Sequence, residues 1–138
     1  PERLDYWQQG LAAIALVHRS GQYLSQAFAR NIIVCNDGQI GFIDFEDDPG
    51  RYMPLERCQS RDYLCYLQST AVWLQKHGLI DQAAAIWQQH SSSLPAALSA
   101  PVQSAARPIG WMRHLQADFW GNDTLRLAAL AALFEQAK

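Results

Sequence analysis

The chain has 138 residues, the length of one ordinary domain. Hydrophobic residues make up 49% and charged residues 17%, a balance that supports a buried core and excludes a disordered polar tract. The formal net charge of -2 gives no basic surface for nucleic acid or for an anionic membrane, and no apolar run approaches the roughly 20 residues that span a bilayer.

The chain begins at Pro1 and shows no charged start followed by an apolar run and a cleavage site, so no signal peptide is read there. Cys35, Cys58 and Cys65 are odd in number and have no CxxC spacing. Free thiols in a reducing compartment, the cytoplasm, fit them better than a disulfide frame or a zinc site. Cys58 and Cys65 are seven residues apart and fit one face of a helix as buried structural thiols. No internal repeat or low-complexity tract is present.

From Glu2 to about Ser20, residues Leu4, Trp7, Leu11, Ile14, Ala15 and His18 recur at helical spacing and form one apolar stripe. His18 reads as a satisfied core histidine, and Gly21 ends the helix. The period then changes. Ile32-Ile33-Val34-Cys35 is a short β-branched run, Asn36-Asp37-Gly38 is a turn signal, and Gln39 to Phe45 is a second strand-like run. Together they predict a hairpin, which is not stable alone and must lie on helices.

Glu46-Asp47-Asp48-Pro49-Gly50 is an acidic turn closed by a breaker pair. A long helix follows from about Glu56 to Lys76, with Tyr63, Leu67, Ala71 and Leu74 on its inner face and Gly78 as its stop. Asp81 is placed to cap a shorter helix through Trp87 to about His90. Ser91-Ser92-Ser93 reads as a turn or loop, and Pro95 suits the first turn of another helix. Pro101 and Pro108 are expected to break that region into short pieces. Asn122 or Asp123 caps a last helix from Thr124 to about Ala137. Trp73, Trp87, Trp111 and Trp120 read as core anchors, and His77, His90 and His114 lack ligand spacing. The fold class is mainly α with one small β-hairpin.

The chemistry concentrates between Ser25 and Asp48. Asn31 opens the first strand and Asp44 closes the second, thirteen residues later. In a hairpin of this length those two ends are neighbours. An amide oxygen and a carboxylate side by side are hard oxygen ligands suited to Mg²⁺, which takes its remaining ligands from water and substrate phosphates. Asp47 lies close enough in sequence to approach a second metal.

Arg30-Asn31-Ile32-Ile33-Val34 followed by Ile43-Asp44-Phe45-Glu46-Asp47 resembles the catalytic loop and metal-binding loop of the protein-kinase-like superfamily. The second stretch is similar to the I-D-F-E-D variant of aminoglycoside and sugar kinase relatives. Ala29-Arg30-Asn31 is similar to bacterial kinases of the lipopolysaccharide-core (Kdo) type. Arg61-Asp62, early in the long helix, looks like the helix Asp that braces the catalytic loop in this superfamily. The likeness runs from about Leu11 to Leu74.

The resemblance implies the C-terminal lobe of an ATP-dependent phosphotransferase, in a piece of chain without the N-terminal lobe. Mg²⁺ would be held by Asn31 and Asp44, and the ATP phosphates would meet Arg30, Asn31 and Asp44. Asp62 would give structural support, and a hydroxyl-bearing acceptor would be the second substrate. Two departures stand out. The position of the family's catalytic Asp, five residues before the Asn, is Gln26, and that of the preceding His is Leu24. Gln carries no charge and cannot take up a proton as a base. Neither a Gly-rich loop nor a strand Lys is present. Gln26 would at best hold the acceptor. The second expectation is therefore a catalytically impaired, pseudokinase-like module that binds a nucleotide or a protein partner, with the surface under a missing lobe available for self-association.

Overall fold

The computed structural model describes residues 2–25, 27–43, 53–106 and 129–135. They are mainly helical and carry one two-stranded antiparallel hairpin. Helix α1 is Glu2–Arg19 and is followed by a single 3₁₀ turn, Ala29–Asn31. Strands β1 (Ile32–Val34) and β2 (Ile40–Phe42) come next, then helices α2 (Leu55–Lys76), α3 (Ile80–Ser92) and α4 (Ala96–Ala106). Residues 129–135 are also helical. The backbone divides into two compact units, residues 1–66 and 67–138, and the division falls within α2.

In the first unit the predicted stripe of α1 faces inward. Trp7, Leu11, Ile14 and His18 are buried, while Leu4 and Ala15 are half-buried. They meet the first half of α2, where Cys58, Asp62, Tyr63, Cys65 and Tyr66 are buried. Gly10 explains how close the approach is. A Cβ at that position would stand 2.2 Å from the Tyr66 hydroxyl oxygen. That oxygen donates its proton to the Trp7 carbonyl at 2.7 Å, and the Trp7 and Tyr66 rings stack with centroids 6.1 Å apart. A mid-helix glycine costs roughly 0.5–1 kcal/mol relative to alanine, and here it admits the tyrosine ring.

The hairpin pairs Ile32 with Phe42, Ile33 with Gly41 and Val34 with Ile40. At the turn its strands are shorter than the apolar runs suggest, leaving Cys35 and Gln39 outside them, because the turn is wide. The Cys35 N–H donates to the Gln39 carbonyl at 2.7 Å, and Asp37 Oδ1 accepts from the Gln39 N–H at 3.0 Å. Strand β2 lies against α1, as the marginal stability of an isolated hairpin requires. Ile33, Val34 and Ile43 remain exposed.

In the second unit Leu67, Ala71 and Leu74 of α2 are fully buried, as the spacing predicts. Gly78, at φ 67, ends the helix where a side chain would be strained, and the Leu79 N–H closes back onto the Leu74 carbonyl at 2.8 Å. Three expectations are corrected here. Asp81 is not a cap: α3 already begins at Ile80, and Asp81 sits inside its first turn, where an acidic side chain suits the macrodipole. The serine run is a turn only at Ser93. Ser91 and Ser92 continue α3, with hydroxyls bonded back to the Gln88 and Gln89 carbonyls, and Ser93 is its C-cap. Pro101 does not break the chain. It sits inside α4, held between the buried Leu98 and Val102. Trp87 is buried as an anchor, whereas Trp73 is half-buried and packs on His77 with ring centroids 4.8 Å apart. Trp111, Trp120, Pro108, His114 and the predicted cap at Asn122 or Asp123 lie outside the described residues.

Candidate functional site

The loop from Leu24 to Asn31 carries the candidate chemistry, and backbone hydrogen bonds fix its far end. The 3₁₀ turn lets the Asn31 N–H donate to the Phe28 carbonyl at 2.8 Å. The Asn31 carbonyl accepts from the Ile43 N–H, also at 2.8 Å, which carries the ladder one step past the Ile32–Phe42 pair. Asn31 is buried, 3% exposed, directly opposite Ile43. The next residue in the chain is Asp44. The neighbourhood of the two strand ends, inferred from hairpin length, is thus realised at Asn31 and Ile43. Asp44, Gln26 and Asp47 lie outside the described residues. Among the described residues no group of three or more His, Cys, Asp or Glu could hold a metal ion. The amide of Asn31 and the carboxylate that follows Ile43 are oxygen donors, the type that Mg²⁺ takes.

The near end of the loop is held by a side chain. Asp62 is fully buried. Its Oδ2 accepts from the Leu24 N–H at 2.7 Å and lies 2.8 Å from His18 Nε2. One carboxylate oxygen therefore joins α1, α2 and the loop. Asp62 is the eighth residue of α2 and lies well beyond the first turn, so a helix-start charge is not its role. Taking one member from such a buried pair leaves the other uncompensated and costs about 3–5 kcal/mol. One turn earlier on α2, Gln59 Nε2 donates to the carbonyls of His18 at 3.1 Å and Gln22 at 3.0 Å. The His18 carbonyl, which also accepts from the Gly21 N–H at 3.0 Å, lies in the last turn of α1, and Gln22 lies beyond it.

Between the two ends Ser25 adopts φ 61, the only positive φ at a non-glycine among the described residues. For an L-residue this conformation costs about 1–2 kcal/mol. Ser25 is buried, and its hydroxyl has no hydrogen-bond partner among the described residues. Strain of this kind persists only where surrounding packing imposes it, and it gathers at functional loops.

The charges around the loop are few. Arg30 is exposed, with Cζ 4.7 Å from the Phe28 ring centroid, so its guanidinium lies over an aromatic face beside Asn31. Glu46 and Asp47, its candidate partners, lie outside the described residues. Burial pushes the Cys65 thiol up to about 11, with Arg61 and Arg30 pulling it down and Asp62 pushing it up. Tyr63, whose ring meets His18 edge-on at 5.2 Å, has its phenol raised by burial and then by Asp62, against Arg19.

Of the expected site residues, the fold brings Asn31 and Arg30 to one end of the loop and Asp62 to the other. His18 is more than a satisfied core histidine. Nε2 faces Asp62, while Nδ1 is buried without a partner among the described residues. His18 and Gln59 are the residues that sequence reasoning missed. The available signal was a polar pair three residues apart, Gln59 and Asp62, next to an otherwise apolar inner face, with a histidine closing the stripe of the preceding helix.

Comparison with known protein families, with curated proteins and with solved structures finds no match for this chain. No helix among the described residues is long and apolar enough to cross a membrane.

Proposed function

We propose that residues from about Leu11 to Leu74 form the core of a kinase-like phosphotransferase C-lobe. The observation that carries this reading is the grip of Asp62 on the Leu24 amide from the middle of α2. A buried carboxylate that ties a loop amide to α1 and α2 is what a lobe that must hold a catalytic loop still would require. The base of the hairpin, where Asn31 meets Ile43, supports the same reading.

Asn31 and Asp44 would hold Mg²⁺, and Arg30 would face the phosphates. When bound, the metal ion supplies neutralisation of phosphate charge, which with positioning makes up most of phosphoryl-transfer catalysis. The chain's own share is positioning: Asp62 holds the loop at Leu24, and the 3₁₀ turn holds it at Asn31. Gln26 would orient the acceptor hydroxyl without taking its proton. A weak phosphotransferase, or a nucleotide-binding module without turnover, follows from that substitution.

Thermal unfolding with Mg-ATP tests the reading. At one hundred times its dissociation constant a ligand adds about 2.7 kcal/mol of stability. The midpoint is expected to rise with Mg-ATP and to stay flat in Asn31→Ala. A flat response in the unaltered chain sinks the nucleotide reading. Gln26→Asp then separates the two forms of the proposal. Restoring a base is expected to raise phosphotransfer by roughly 10²–10⁴-fold if the rest of the machinery is present.

A further inference from the structure

We propose that a buried water molecule bridges the Ser25 hydroxyl and the free oxygen of the Asp62 carboxylate, completing the hold of α2 on the loop.

Two orphaned atoms flank one hydrogen bond. Asp62 Oδ2 takes both the Leu24 N–H and His18 Nε2, while Oδ1 of the same carboxylate is buried with no partner among the described residues. Ser25 directly follows Leu24, and its Oγ is likewise buried and unpartnered. Covalent geometry therefore keeps both atoms within a few bonds of the Leu24–Asp62 contact. Ser25 is 3% exposed and Asp62 0%, so bulk solvent does not serve either.

The two groups differ in what they can do. An ionised carboxylate only accepts, whereas a hydroxyl donates and accepts. Water donates twice and accepts twice. It can give one proton to Oδ1 and exchange a hydrogen bond with Oγ. Polar sites inside proteins hold such waters, whereas apolar voids stay dry. The third buried orphan, His18 Nδ1, is the other nitrogen of the imidazole whose Nε2 faces Asp62.

The bridge explains why a strained serine is tolerated next to Leu24. The left-handed conformation at φ 61 would be held by a second, water-mediated contact to the same carboxylate. The loop is then gripped at two successive residues. This inference rests on packing within residues 1–66 and does not need the phosphotransferase reading.

A high-resolution crystal structure of the 138-residue chain tests it. A solvent peak within about 3.2 Å of both Ser25 Oγ and Asp62 Oδ1 is the expected result. An empty site, or a direct hydrogen bond between the two atoms, overturns the proposal. In solution, a water-to-amide Overhauser cross-peak is expected at the Leu24 and Ser25 amides and is expected to vanish in Ser25→Ala. An undiminished cross-peak in a folded Ser25→Ala chain removes the hydroxyl as a partner and overturns the proposal. If that variant does not fold, the crystal structure of the unaltered chain decides alone.

Discussion

The two compact units solve the same problem differently. In residues 1–66 most buried polar side chains with described bonds reach across the fold: His18 to Asp62, Asp62 to Leu24, Gln59 to His18 and Gln22, Tyr66 to Trp7; only Ser60 among them turns back on its own helix, to the Glu56 carbonyl. In residues 67–138 the buried hydroxyls with described bonds turn back on their own helix, Thr70 to the Leu67 carbonyl and Ser91 to the Gln88 carbonyl. A local bond satisfies a hydroxyl and specifies little else. A bond between residues 37 to 59 positions apart specifies how a loop and two helices meet. The first unit thus puts polar burial to work on a loop, while the second is held by apolar side chains such as Trp87, Val102 and Leu74.

The contrast can be broken most directly at Asp62. Asp62→Ala is expected to destabilise the chain by about 3–5 kcal/mol, because it leaves His18 and the Leu24 N–H buried without their acceptor. Ser91→Ala in the second unit is expected to cost about 1 kcal/mol or less, since only a local hydrogen bond is lost. Equal losses in denaturant unfolding would erase the distinction. Gly10→Ala is the next largest. The new methyl meets the Tyr66 hydroxyl and ring, and overpacking of this kind costs about 1–3 kcal/mol. A neutral result would show that α1 can shift away from Tyr66.

Cys65 sharpens the comparison through pH. Its thiol is raised from the ordinary 9.0 to about 11, so the folded chain keeps that proton where the unfolded chain has lost it. Its contribution to stability is full below about pH 9 and is lost as pH rises toward 11. Unfolding midpoints are expected to fall across that window and to fall less in Cys65→Ala. At neutral pH the exposed Cys35 should be alkylated well before the buried Cys58 and Cys65. The smallest effect is at Ser25. Ser25→Gly removes the strain of φ 61 but loosens the unfolded chain and gives up the water-mediated contact, so stability is expected to stay within about 1 kcal/mol of the unaltered chain. A clear gain in calorimetry would mean that the hydroxyl holds nothing.

Much of the fold was legible in order. The stripe of α1, the hairpin around Asn36-Asp37-Gly38, and the inner face of α2 at Tyr63, Leu67, Ala71 and Leu74 all follow from periodicity, because burial on one face leaves a repeat in the chain. Boundaries were less legible. Asp81, Ser91, Ser92 and Pro101 each favour a boundary or break by propensity, yet α3 and α4 include them. Packing of Ala83, Ala84, Trp87, Leu98 and Val102 outweighs those local preferences, which amount to about 1–3 kcal/mol each at most. At the candidate site, Asn31 and the placement of Asp62 on the long helix were readable from motif spacing.

Sequence alone therefore determined the element types, the apolar faces and the meeting of the hairpin ends, because each depends on residues close together in the chain. Only the tertiary structure decided that Asp62 holds Leu24, that His18 shares the same carboxylate oxygen, and that Ser25 is strained beside them. Those contacts join residues as many as 44 positions apart. No local preference encodes them, and they form only when α1, the loop and α2 close around one buried carboxyl group.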